Sequence, residues 1–294
     1  MGHQIFYGIV ALVSAAFWAL GPILWRNIGE EISPFSMNLS KGIIGSLYLA
    51  VVLLVIGIEP VNMHAFLFLG ISGLVGITFG DTFFFMSLMH LGPRLASLMG
   101  TLIPVFIAFS AVLFLGERPS FLVWVGIFLT VSGVAGVLWE RIPQKEIVKN
   151  KSLGIKYGLL SIACTTVGVI FAKIGVTSVS AIQASFIRLF WGGIGLILWG
   201  SLNHQLRNWL IPFKNLHLLK SVSFVVFIVI FGGFWLSLLA LKHIDASIAS
   251  TLNSTAPLFI LPMVAIMLKE KISIQAGLGA AIAVGGVALI FMQG

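Results

Sequence analysis

The sequence predicts an all-α integral membrane protein of ten transmembrane helices, arranged as two inverted five-helix repeats. Three observations predict it: a composition that cannot cover a water-facing surface, ten apolar runs of membrane length, and a helix pattern that occurs twice. Of 294 residues, 59% are hydrophobic and 9% are charged, whereas soluble domains carry about 25% charged residues. A spanning helix needs about 20 mostly apolar residues. Runs of that length lie at roughly 5–25, 35–57, 65–88, 95–115, 121–139, 153–173, 180–201, 219–240, 246–267 and 274–292. They are continuous, which excludes barrel strands, whose apolar residues alternate.

The first run reads as a span and not as a signal peptide: it is too long for a signal core, and only the amino terminus and His3 precede it as basic groups. Spans two to five follow across short loops. The segment 141–152 then joins a first five-helix repeat, 1–140, to a second, 153–294. The other long loop, Asn203 to Leu218, joins spans seven and eight. No segment is left for a soluble domain. Because five is odd, the second repeat enters the membrane in the opposite orientation, and inverted repeats are the geometry of alternating access in solute transporters. The single cysteine, Cys164, excludes an intrachain disulfide and a thiolate metal site. The net charge of +8 sits mostly in loops and reads as topology and lipid-surface charge. Nucleic-acid binding would need a basic face on a soluble domain.

The repeat is clearest from Gly80 to Gly136, which matches Gly233 to Leu289 without a gap. Pro104 falls on Pro257, an offset of 153, and at that offset His90 falls on His243, Ala96-Ser97 on Ala249-Ser250 and Glu117 on Glu270. Earlier helices match more weakly. Ser33 falls on Ser180, Lys41 on Arg188 and Gly45 on Gly192 at an offset of 147, and Tyr7-Gly8 on Tyr157-Gly158 at 150.

This pattern resembles the EamA family of the drug/metabolite transporter superfamily. The resemblance rests on Trp18 in span one, a basic residue in spans two and seven, and the paired blocks Ala96-Ser97…Pro104…Gly116-Glu117…Gly126…Gly133 and Ala249-Ser250…Pro257…Lys269-Glu270…Gly279…Gly286. It covers essentially the whole chain. It departs from the family at Lys269, where Gly is usual before the Glu, and at Gly168, which stands in span six where Trp18 stands in span one. The resemblance implies a secondary transporter or facilitator that exports small metabolites, amino acids or drugs across a bacterial inner membrane, with Trp18 at the cavity. A lipid-linked-sugar flippase of the same superfamily is the alternative. An intramembrane enzyme with Asp81 and a histidine as acid and base is the weaker one, since no catalytic cluster appears. No Walker motif, metal cluster or Gly-x-Ser-x-Gly elbow occurs, and no cofactor is expected.

Ionisable groups inside spans cost about 2.5–3.5 kcal/mol each at the bilayer centre and are functional candidates by default. Lys41, Asp81 and Arg188 are the three. Lys41 and Asp81 each lie roughly 10 Å from the same interface at 1.5 Å per residue, so they can pair. Two readings stay open. In one, Lys41 and Arg188 face opposite entrances of a central cavity suited to a carboxylate-bearing substrate. In the other they snorkel or pair structurally. Asp81 is also the one carboxylate deep in a span, hence the candidate proton carrier.

Pro104 and Pro257 sit mid-span and free the carbonyls of Gly100 and Asn253. Thr101 and the polar string Ser250 to Thr255 can satisfy that backbone or line a water path, with Asn253 the favoured cavity residue. Trp191 joins Trp18 as a candidate cavity aromatic. Glu117 and Glu270 read as structural, with Ser120 and Ser273 capping the helices that follow. The glycines of spans five and ten allow close helix contact, within the chain or in a homodimer.

Orientation is contested. The resemblance implies cytoplasmic termini. The loops on the terminal side hold three Lys or Arg (Arg118, Lys173, Lys242). The opposite side holds eleven: Arg26, Arg94, Arg141, Lys145, Lys149, Lys151, Arg207, Lys214, Lys220, Lys269 and Lys271. Basic residues of short loops concentrate in the cytoplasm, which predicts termini outside.

Overall fold

In the computed structural model, residues 2–26, 32–91, 93–140, 150–259 and 274–292 are described. Glu270 and Ser273 lie outside them. Nine helical segments are long and apolar enough to cross a membrane among these residues. They correspond to every run of the sequence except the ninth. Its described part is Ala246–Asn253 and a short helical segment over 256–259, beyond which the description stops at 259. Side chains such as Leu54, Val55, Phe121 and Leu202 point outward, as lipid-facing positions must.

The spans pair across the two repeats. Span one (Gly2–Arg26) packs on span eight (Leu216–His243), and span six (Lys151–Val176) packs in the same way on span three (Met63–Leu91). Spans two (Pro34–Ile56) and seven (Ala181–Leu202), four (Leu95–Leu115) and nine, and five (Phe121–Glu140) and ten (Ile274–Phe291) pair with each other. Exchanging the repeats maps each of these contacts onto another or onto itself, which is a pseudo-two-fold arrangement.

Glycine makes the self-paired contacts close. A Cβ on Gly42 would stand 3.0 Å from the Cα of Gly193. Spans five and ten meet through repeat-related glycines: a Cβ on Gly133 would meet the Gly279 carbonyl oxygen at 2.5 Å, and one on Gly286 the Gly126 carbonyl oxygen at 2.6 Å. Four of these glycines are therefore used inside the chain.

Helix caps carry the repeat too. Ser33 and Ser180 accept from the backbone N–H three residues on. Asn62 and Asn215, 153 apart, each cap the N-terminus of their span. Spans three and eight each contain a π-helical stretch, Gly73–Asp81 and Val229–Trp235, which overlap at the same offset. Such turns widen a helix and occur often at functional sites.

Span one corrects the sequence alignment. Ser14 Oγ donates to the Gly233 carbonyl at 2.7 Å, and Ser161 Oγ donates to the Gly80 carbonyl at 2.9 Å. Gly80 and Gly233 are repeat mates, so Ser14 and Ser161 are as well, at an offset of 147. The Tyr7/Tyr157 match at 150 is one turn fragment out of register. The residue opposite Trp18 is then Thr165, not Gly168: Thr165 packs on Gly80 as Trp18 packs on Gly233. Spans one and two share one offset. The six-residue difference between 147 and 153 lies in the loop after span seven, which forms a short helix, Leu206–Leu210. Its Trp209 is buried and stacks on Phe35 with centroids 5.2 Å apart.

The amino-terminal helix and the carboxy-terminal helix meet at one end, where a Cβ on Gly8 would strike the Phe291 ring. Tyr7 stacks there on His243 at 3.9 Å. Both described ends, and the turn after span eight, therefore share a membrane side.

Candidate functional site

Spans four and nine are broken where their prolines require it. The first ends at Gly100 and resumes at Ile103; the second ends at Asn253 and resumes at 256. Pro104 takes the second position of the resumed helix, where its missing N–H has no intrahelical partner to lose. Pro257 holds the matching position. Both breaks border one cavity of about 310 Å³ between the repeats. Discontinuous helices at a repeat interface are the common construction of transporter binding sites.

Trp18, Pro104, Arg188 and Asn253 line this cavity. Lys41, Asp81, Thr101, Trp191 and Pro257 do not. Thr101 is buried and donates back to the Leu98 carbonyl at 2.7 Å, so it closes the local turn. Trp191 packs on Gly70 and meets Phe66 edge-on at 6.0 Å. Lys41 Nζ donates to Asp81 Oδ2 at 2.8 Å. Of the two readings of the span charges, the paired one describes Lys41, and the cavity one describes Arg188 alone.

The difference follows from one position. The repeat mate of Asp81, at an offset of 153, is Phe234. Lys41 therefore meets a carboxylate, whereas the Arg188 guanidinium lies over the Phe234 ring, 5.1 Å from its centroid. Arg188 is 9% exposed, and its Nε has no hydrogen-bond partner. No ion pair to Arg188 occurs among the described residues. Two cations near span ends are satisfied by backbone: Lys173 donates to the Leu241 and Ile244 carbonyls and Lys242 to Val179, all at 2.7 Å.

Opposite Arg188 stands a polar relay that sequence reasoning missed. Ser237 Oγ donates to Asn253 Oδ1 at 3.1 Å, accepts from Trp18 Nε1 at 3.1 Å, and lies 2.7 Å from Ser14 Oγ. Asn253 Nδ2 donates to the Ala249 carbonyl at 3.1 Å. The relay fixes the Trp18 indole against the cavity and occupies the amide. The sequence marks it poorly, since Ser237 is one of three serines in span eight and falls on Phe84 at the offset of 153. Ser250, Ser254 and Thr165 complete the polar lining.

Glu117 caps a helix of the other repeat. Its carboxylate accepts from the backbone N–H groups of Ala246 and Ser247 at 2.5 and 3.2 Å, and from Ser247 Oγ at 2.6 Å. Ser120 Oγ accepts from Val123 N–H and so caps the span that follows it. No group of three or more metal-ligating side chains occurs among the described residues. No histidine is hydrogen-bonded to Asp81 among them either.

These features define a multi-pass membrane protein built from two inverted repeats around a central cavity. A profile of the EamA-like transporter family matches residues 5–139 and again 152–292. The chain belongs to that family, whose place is in the drug/metabolite transporter superfamily. No curated protein matches it significantly. Solved structures do match, among them one titled "Crystal structure of protein", with 16% identity, a TM-score of 0.79, and coverage of 100% of this chain and 98% of the other. That likeness shows the shared fold.

Proposed function

We propose that this protein is a secondary transporter or facilitator that exports small metabolites across the cell membrane by alternating access. The carrying observation is the cavity formed by both repeats at the paired breaks of spans four and nine. Residues related by the pseudo-two-fold approach the site from opposite membrane sides, so a rocking of one repeat against the other exposes it alternately. The π-helical stretches and glycine contacts supply places where spans can shift without breaking backbone pairing. The family consists of transporters, and among the described residues Asp81 is paired with Lys41 and with no histidine, which supports a reading of transport without chemical change.

The test is counterflow in proteoliposomes. Vesicles preloaded with unlabelled solute should accumulate the same labelled solute, saturably and without covalent change. A modified product recovered from the vesicles would mark an enzyme instead. Trp18→Ala, which removes a wall of the cavity and a donor to Ser237, should lower the flux at least tenfold.

A further inference from the structure

We infer that the transported solute is a small organic monoanion, a single carboxylate on an apolar body, bound by Arg188 as its only counter-charge. This deepens the carrier reading and rests on it. The two repeats each bring one cation toward the centre of the protein. In the first repeat the charge is already matched, Lys41 by Asp81 at 2.8 Å. In the second the matching position is Phe234, and Arg188 lines the cavity, with its buried Nε lacking a hydrogen-bond partner. Asp81 acts on Arg188 through space but is already paired with Lys41. A guanidinium held nine-tenths buried with no direct ion pair among the described residues is costly unless an anion arrives to pair with it. Its planar fork suits a carboxylate, which it can hold by two parallel hydrogen bonds.

The rest of the lining narrows the class. No Asp or Glu lines the cavity among the described residues. An ammonium group would therefore enter without a counter-charge and beside a fixed guanidinium that repels it. This disfavours amines, and it disfavours zwitterionic amino acids relative to anions of the same shape. Ile103, Ile107, Val169, Leu238 and Leu241 make most of the remaining wall apolar. Among the hydroxyls of the lining, that of Ser254 is taken by the Thr251 carbonyl at 2.7 Å, which leaves Ser250 as a neutral donor for the solute. A volume of about 310 Å³ is at the small end of ligand pockets, which run from about 300 to 1,000 Å³.

The test uses solutes that share a body and differ in charge. For the isobutyl body these are 4-methyl-2-oxopentanoate, leucine and 3-methylbutylamine. A benzyl and a propyl series repeat the comparison. Binding is read on the full chain in detergent by calorimetry, and counterflow is read in proteoliposomes. The expected result is that, in at least one series, the monoanion binds roughly tenfold or more tightly than its amino acid or amine, the scale of a charge-assisted hydrogen bond. Arg188→Gln should remove that preference. Phe234→Asp should remove it as well, by giving Arg188 the partner that Lys41 already has, and the protein should stay folded because it copies a pair present in the first repeat. Equal or tighter binding of the amino acid or amine, failure of every anion to bind, or an undiminished anion preference in both variants would overturn the inference. Flux of another solute class in the same vesicles would then leave the carrier reading standing. Anion binding that responds to both variants, with no counterflow of any solute, would uphold the charge class and sink the carrier reading.

Discussion

Lys41 and Asp81 show what the sequence can say about single residues. Their equal depth was legible by counting residues along two helices, and they pair at 2.8 Å. Their side chains are 17% and 35% exposed, between the surface and the buried regimes. Asp81→Asn should therefore cost about 1–2 kcal/mol, read as a lower melting temperature in detergent. The double variant Lys41→Met, Asp81→Asn should recover most of the loss, because no unpaired cation remains. A double variant no more stable than Asp81→Asn alone would show that the pair is not what holds these positions. The place of Arg188 at the cavity was only half legible. Its depth marked it, but the reason it differs from Lys41 is Phe234, a hydrophobic residue that carries no signal until placed against Asp81. Thr101 and Trp191 show the converse. Each has the right chemistry for a cavity, and each is turned away by local packing that no spacing rule reveals.

At the level of helices, apolar runs located the spans well, and mid-span prolines located the breaks, because lipid leaves the backbone few alternatives. What they could not indicate is contact between distant elements. Glu117 follows its helix in a short loop, which suggests a local role. Its carboxylate instead reaches the N-terminus of Ala246–Asn253 in the other repeat. Glu117→Gln keeps the shape and loses the charge on three donors, so it should destabilise by about 1–2 kcal/mol, and Ser247→Ala by less. A melting temperature unchanged in Glu117→Gln would mean that this cap is dispensable. Glycine faces offer a sharper contrast. Gly286→Ala places a methyl 2.5 Å from Thr130 Oγ1 and 2.6 Å from backbone. It should separate spans five and ten at a cost of more than about 2 kcal/mol, in the range of overpacked cores. Gly285→Ala meets nothing within 4 Å and should be neutral or slightly stabilising, since Ala favours helix over Gly by up to about 1 kcal/mol. Similar losses at both positions would contradict this packing.

For the whole molecule, the doubled sequence announced the architecture, and the register of its first helices needed the hydrogen bonds of Ser14 and Ser161 to be set. An offset of 150 matched letters, and 147 matches contacts. Orientation follows from the same architecture together with charge. The two described ends lie at one membrane side, and the amines of Lys173 and Lys242 on that side are taken up by backbone carbonyls. The basic excess of the opposite loops therefore predicts that those loops face the cytoplasm and the termini face out. Ile147→Cys in a Cys164→Ser background tests this in intact cells. Protection from a membrane-impermeant maleimide is expected. Rapid labelling would put the central loop outside and show that loop charge does not orient this chain.

Arg188 has no ion pair among the described residues, and the one carboxylate acting on it, Asp81, is balanced by Lys41, so the site keeps a net positive charge with an electrical consequence. A carrier whose loaded site is neutral and whose unloaded site bears one positive charge responds to voltage in only half of its cycle. The membrane potential, worth about 2.3 kcal/mol per elementary charge per 100 mV across the full field, acts on the return of the empty site and leaves the loaded passage untouched. Exchange of one anion for another would then be indifferent to voltage, while net efflux would be driven by it, and the potential would serve as a valve on direction without any coupling ion.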